Sequence, residues 1–255
     1  MKHLSTAFRT LVGREIYRFF SVFRQTISPP LVSSFLFIFI FGFSLGSRIH
    51  EIEGVSYLDF LIPGLVMMYV IDGAYANTSS SLFISRWANN IEEILVTPLS
   101  YLEMVLAILI GGLTRSLVTG GGVYLASLLF ARFPLAHPGV ALYFLIFVAL
   151  IFSSIGIIVA LYAEEFEHLT VATTFIITPL VYFGGVFNSI AMVPEMIRWL
   201  AVFNPMFYMV NGLRYGMLGI ADTSVMLSML VVFVLFVVLF GTAVYLFKIG
   251  YKLRK

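Results

Sequence analysis

Six stretches of this chain are each near the ~20 apolar residues that an α-helix needs to cross a bilayer. They cover about Thr26–Ser47, Tyr57–Phe83, Tyr101–Phe130, Val140–Tyr162, Leu169–Val186 and Val225–Phe247. Hydrocarbon offers no water to backbone amides, so such stretches must satisfy their own hydrogen bonds, as helices do. The composition agrees. Of the 255 residues 60% are hydrophobic and 11% charged, against roughly 25% charged in soluble domains. The expected fold is an all-α membrane protein with six transmembrane helices. The absence of cysteine excludes disulfides, thiolate metal sites and cysteine nucleophiles.

Residues 1–25 precede the first span and are expected to form a separate amphipathic helix, with residues 26–255 as the six-span domain. Leu4, Phe8, Leu11, Val12, Ile16, Phe19, Phe20 and Phe23 recur at helical spacing, leaving Arg9, Arg14 and Arg18 largely on other faces. A basic helix of this kind lies in the membrane interface. No apolar run with a small-residue cleavage site follows the opening basic residues, so the first span is expected to double as the insertion signal. Pro29 and Pro30 are expected in the first turn of that span, where proline is tolerated. Glycines at 111–112 and 120–122 suit close helix contact in the third span, or flexible points.

Lys2, Arg9, Arg14, Arg18 and Arg24 near one terminus, and Lys248, Lys252, Arg254 and Lys255 near the other, are nine of the fifteen basic residues. With an even number of spans both ends share a side, and the positive-inside rule makes that side cytoplasmic. The loop Ala163–His168 then faces the cytoplasm too, and its Glu164, Glu165 and Glu167 ask for a basic partner surface.

Two segments are neither spans nor simple turns. On the cytoplasmic side, residues 86–98 read as a short helix: Asn89 or Asn90 caps it, Glu92 and Glu93 sit in its first turn, and Pro98 stops it. Trp87, Ile91, Ile94 and Leu95 give it an apolar side. On the outer side, residues 188–223 continue an apolar stretch broken by Gly184, Gly185, Pro194 and Pro205. Broken backbone at such apolarity survives where protein covers it or where it lines a wet cavity. Two short re-entrant helices are expected there, about Val193–Phe203 and Met206–Leu218. Arg198 and Arg214 then need outer headgroups or an acidic partner. The segment, with Tyr208, reads as an outer gate.

Asp72 and Arg115 lie mid-span, and each costs ~2.5–3.5 kcal/mol at a helix centre. Counted from the inner ends of their spans they sit at about 18 Å and 21 Å, so they are expected to pair or share a polar cluster. That cluster either locks two helices or lines a transport path. Tyr75 and Ser79 continue the Asp72 face.

The four lysines, Lys2, Lys248, Lys252 and Lys255, fit no G-x-x-x-x-G-K-[ST] loop, so ATP hydrolysis by that route is not in this chain. Of the histidines His3, His50, His137 and His168, none stands at membrane depth. Glu164-Glu165 resembles the paired glutamates of intramembrane CAAX-type metallopeptidases, but Leu169 occupies the expected arginine position. An intramembrane enzyme is therefore disfavoured. A passive channel would need a polar stripe along a span, and only the Asp72/Arg115 level offers one. No metal ligand set and no nucleic-acid partner are expected.

Two motifs carry a resemblance over essentially the whole chain. Asn204-Pro205-Met206-Phe207-Tyr208 followed by Arg214 is similar to the C-terminal signature of the type-2 ATP-binding-cassette (ABC) exporter permeases. Glu92-Glu93-Ile94-Leu95-Val96-Thr97-Pro98 resembles their E-x-L-L-x-[ST]-P segment, with Asn90 where threonine is common. The resemblance implies a bacterial inner-membrane transport subunit without catalytic residues. Residues 86–98, with Arg86, Asn90, Glu92, Glu93, Leu95 and Pro98, would be the coupling helix that docks on a separate ATPase. Glu164 and Glu165 would make a second contact. It implies two ATPase copies holding ATP and Mg, a second permease copy in a homodimer, and outward movement of a lipid-like, glycolipid, polysaccharide or drug-like cargo.

Overall fold

In the computed structural model, residues 2–44, 51–52, 54–131, 135–189, 192 and 194–253 are described. The helices are α1 (Lys2–Ser21), α2 (Phe23–Ser44), α3 (Tyr57–Trp87), α4 (Ile91–Leu95), α5 (Tyr101–Ser127), α6 (Pro138–Tyr162), α7 (Phe166–Ala172), α8 (Thr178–Phe183), α9 (Glu195–Phe203), α10 (Pro205–Leu218) and α11 (Val225–Lys248). A single π-turn, Thr173–Ile177, joins α7 to α8, so α7, the π-turn and α8 together make span five. Six helices are long and apolar enough to cross a membrane. The fold is an all-α membrane protein.

The bundle has an inner core and an outer ring. Spans two and four (α3 and α6) bury 78% and 61% of their apolar windows, while spans one, five and six bury 17%, 22% and 22%. The core is close because its helices are small where they cross. A Cβ on Gly156 of α6 would fall onto Thr78 Oγ1 and lie 2.9 Å from the Tyr75 carbonyl of α3; one on Gly112 of α5 would meet Ser153 and Thr78. The glycines of α5 thus serve close approach at 112 and not at 121, where an added Cβ meets nothing within 4 Å.

Several boundaries differ from the sequence expectation. Pro29 and Pro30 lie well inside α2, because the helix starts at Phe23 rather than Thr26. The predicted end of span one at Ser47 lies outside the described residues, as do Val193, Arg254 and Lys255. Span two runs on to Trp87, about 46 Å at 1.5 Å per residue, well beyond the ~30 Å hydrocarbon core. Arg86 therefore belongs to this span and not to the short helix after it. Between spans one and two lies a hairpin the sequence reading did not foresee, β1 (Glu51–Ile52) paired antiparallel with β2 (Val55–Ser56). Gly54 turns it at φ +82°.

Helix α1 carries the largest surprise. Its buried line is Leu11, Glu15 and Phe19, with a carboxylate in the middle. Glu15 is fully buried; it accepts a 2.6 Å bond from Ser81 Oγ and meets Arg14 at 2.9 Å. Arg18 meets Glu15 at 3.6 Å and donates to the carbonyl and side-chain oxygens of Asn77 at 2.9 and 3.0 Å. Helix α1 is thus bolted to α3 by charge, as well as packed by its apolar stripe. It joins the lower apolar cluster with α4, α5 and α11.

Candidate functional site

Three regions hold the residues singled out by sequence. At the end that holds α1 and the C-terminal turn, α4 is only five residues long and stands between two turns. Asn89 adopts φ +59°, and Asn90 stands at the N-cap position without a side-chain cap bond. At the other end, just before Pro98, Thr97 closes the helix, its hydroxyl donating to the Ile94 carbonyl at 2.6 Å. Ile91 and Ile94 anchor it in the core. Glu92, Glu93 and Pro98 are exposed and Leu95 is half-buried, while Trp87, expected on the apolar side, is 69% exposed.

Arg86 does not face outward. Its Nε donates to the Lys252 carbonyl at 2.7 Å, and another nitrogen reaches the carbonyls of Ala160 and Ala163. It ties the inner ends of spans two and four to the C-terminal turn. Lys252 then reaches Glu164 at 2.9 Å. The hydrogen bond and charge of Lys252 hold the Glu164 carboxyl below its ordinary range, and Glu164 raises the Lys252 ammonium in return. Glu165 and Glu167 are exposed beside them. A cleft of about 280 Å³ runs between these groups, lined by Trp87, Glu92, Glu164 and Lys252 among others.

At mid-membrane, α3 and α5 touch at the level of the two intramembrane charges. A Cβ on Gly73 would lie 3.2 Å from Ser116 Cα, and these residues follow Asp72 and Arg115 directly. Asp72 and Arg115 sense each other's charge, yet among the described residues no ion pair joins them. Of the two arrangements expected, a pair or a shared polar cluster, the direct pair is not made, and the two side chains line neighbouring cavities. Asp72 is exposed on the surface of the chain, in a cavity of about 180 Å³ between α3 and span five. Arg115 is half-buried and lines an adjoining cavity of about 390 Å³ with Ser79, Thr170 and Thr174. Tyr75 and Thr173 line both. Tyr75 donates its hydroxyl to the Leu169 carbonyl at 2.8 Å, fixing span five against α3.

At the opposite end, Pro194 precedes α9 and Pro205 opens α10, whose first amide is capped by Asn204 at 3.0 Å. Asn204 also donates to Leu180 O at 2.6 Å, pinning the helix to span five. Gly184 lies against Met206, and Gly185 turns the chain at φ +85°. Tyr208 donates back to Val202 O at 3.0 Å. Arg214 finds its acidic partner in Asp222, which sequence reasoning did not identify. Asn211 secures the same loop by accepting from the amides of Asp222 and Thr223 at 2.7 and 3.2 Å. Along α9 the large apolar residues Met196, Trp199 and Phe203 are exposed.

This layout, with an acidic end, a polar mid-level and short helices at the opposite end, coincides with a family match. The model of the ABC-2 type transporter family fits residues 6–218. The chain belongs to the ABC-2 type transporter family. The family match of this ABC-2 chain runs from α1 through α10; it takes in α4, the mid-level charges, α9 and α10, and stops before Asp222 and Lys252. The "Inner membrane transport permease YadH" of Escherichia coli K12 is 38% identical over 237 residues, covering 92% of this chain and 93% of the relative. More distant relatives are "Nodulation protein J" of Rhizobium leguminosarum bv. viciae, 25% identical over 86% of this chain and 85% of the relative, and that of Bradyrhizobium diazoefficiens, 27% identical over 71% and 70%.

Sequence reasoning on this ABC-2 chain missed Glu15, Lys252 and Asp222. Glu15 was visible in principle, since it stands four residues from both Leu11 and Phe19 on their helical line. Lys252 and Asp222 lie in turns whose approach to distant segments leaves no local periodicity to read.

Proposed function

We propose that this chain is the membrane half of an ATP-driven exporter, working with a separate ABC ATPase that holds ATP and Mg. The observation that carries the proposal is the inner surface. Glu92, Glu93, Glu164, Glu165 and Glu167 project from two adjacent connections with Trp87 exposed among them, a surface suited to a basic, partly apolar partner. Arg86 and the C-terminal turn fasten that surface to spans two and four, so a push on α4 is carried into the bundle core. Nucleotide closure of two ATPase copies would move α4, and two permease copies in a homodimer would rock about a shared conduit.

The conduit is assigned to the face of α3 and span five, which carries Asp72, Ser80, Thr170 and Thr174, while span six exposes Leu230, Phe233, Val234 and Val237 to lipid. By the positive-inside rule both termini are cytoplasmic in a bacterial inner membrane, the location that the name of the Escherichia coli relative gives for that protein. The outer helices α9 and α10 serve as the gate on the far side, and the cargo is lipid-like, glycolipid, polysaccharide or drug-like.

The test is co-purification with the ABC ATPase subunits of the same organism, together with ATPase stimulation. Replacing Glu93 by Lys and Leu95 by Ala in one protein should abolish both while the permease still folds. Undiminished binding and stimulation would sink the docking assignment.

A further inference from the structure

The geometry points to a binding site for a zwitterionic amphiphile, a headgroup carrying an ammonium and a phosphate, in the groove between α3 and span five. Two opposite charges stand at one level of the membrane without neutralising each other. Asp72 is exposed in its cavity and takes part in no hydrogen bond among the described residues, and the same holds for the Arg115 side chain, whose Nε is buried without an acceptor. The helices that carry them are in contact beside them, at Gly73 and Ser116. Among the described residues no direct ion pair joins the two. Each charge instead opens into its own cavity, and the two cavities share a wall at Tyr75 and Thr173.

The surroundings of each charge fit one half of such a headgroup. Around Asp72 stand the rings of Tyr69, Tyr75 and Tyr182. A carboxylate among aromatic faces receives an ammonium by charge and by cation–π attraction. Around Arg115 stand the hydroxyl-bearing Ser80, Thr170 and Thr174. A half-buried guanidinium whose terminal nitrogens are not among the buried atoms takes a phosphate oxygen through them. Phe175, Ile176 and Phe183 on span five are 74%, 59% and 67% exposed, and offer an apolar track for acyl chains beside the groove. A ligand of a single charge would leave one intramembrane charge uncompensated, which is why both signs are required.

The role of this site as the cargo site rests on the transport reading above, but its occupancy does not, so binding is measured on the permease alone. The purified chain in detergent is titrated with dioctanoyl phosphatidylethanolamine, dioctanoyl phosphatidylcholine, dioctanoyl phosphatidylglycerol and octylammonium, read by native mass spectrometry and thermal shift. The two zwitterions should bind about tenfold tighter or better than the singly charged probes. Asp72→Asn should lower the zwitterions to the level of phosphatidylglycerol, and Arg115→Gln to the level of octylammonium. Tyr182→Leu should weaken the ammonium-bearing probes alone, and decides the matter if a charge variant does not fold. Equal binding of all four probes overturns the proposal. So does a change from dimer to monomer in the charge variants with lipid binding untouched, which would mean that the charges pair across two copies. Failure of ATPase co-purification would strike the transport reading and leave this result standing.

Discussion

Arg214 and Asp222 form an ion pair of 2.9 Å in which both side chains are only 1% exposed. Arg214 also donates to the Gly185 carbonyl at 2.6 Å and lies 3.7 Å over the ring of Phe60, while Asp222 accepts from Ser189 Oγ at 2.5 Å. One guanidinium thereby joins α10, the loop before span six, the turn after span five and the start of span two. Removing one partner of a buried pair strands the other charge, at about 3–5 kcal/mol. Arg214→Gln and Asp222→Asn should each lower the melting temperature in detergent markedly. The apolar double variant Arg214→Met/Asp222→Leu should melt closer to the parent than either single change, since no stranded charge remains.

Helix α1 should come loose when its carboxylate is removed. Glu15→Ala leaves Ser81 Oγ without its acceptor, a loss of about 1–3 kcal/mol for a buried group so stranded, and takes the carboxylate partner from Arg18, which keeps its bonds to Asn77. The readout is trypsin cleavage at Arg9 and Arg14, which should accelerate several-fold in Glu15→Ala. Arg9→Gln should cut at Arg14 at the parental rate, because Arg9 is exposed and contributes no bond to α3.

The small residues of the core make a paired prediction. Gly156→Ala forces a methyl onto Thr78 and the Tyr75 carbonyl, and such overpacking costs about 1–3 kcal/mol. Gly121→Ala meets open space and should raise stability by up to about 1 kcal/mol through helix propensity. Thermal denaturation of the two variants side by side checks both signs.

The Glu164–Lys252 contact should be independent of pH through the physiological range. Glu164 has its carboxyl lowered by Lys252, so its contribution is present above the unfolded pKa and is lost as pH falls through the depressed folded value. Lys252 is raised by Glu164, so its contribution is present below the unfolded pKa and is lost as pH rises through the elevated folded value. The protection factors of the Tyr251 and Leu253 amides, with the base-catalysed intrinsic exchange rate divided out, should therefore stay flat from about pH 5 to about pH 9 and fall only outside that window. Lys252→Gln should remove the plateau.

The spans were legible because length and apolarity are local properties, and so were the breaks at Pro194 and Pro205 that open α9 and α10. Less was legible wherever two distant segments meet. Arg86 reads as a docking residue from its neighbours, but span two outruns the hydrocarbon and delivers it to the carbonyls of Ala160 and Lys252. Pro29 and Pro30 read as a helix start because proline is cheapest there, whereas the helix begins six residues before Pro29 and carries both inside it. Asp72 and Arg115 were placed at matching depth by counting, but counting along two helices does not say where each side chain points around its axis.

The π-turn at Thr173–Ile177 bears on that last point. A wide turn adds one residue to a circuit, so the outer half of span five is out of phase with the inner half by about 100°. The two halves can then each serve a charge on a different neighbouring helix, Arg115 on α5 and Asp72 on α3: Thr170 and Thr174 stand before or within the offset, Thr178 and Tyr182 after it. Excising Phe175 or Ile176, neither of which lines the two cavities, would bring the halves back into step and swing Tyr182 away from Asp72, splitting the groove without altering any side chain that lines it.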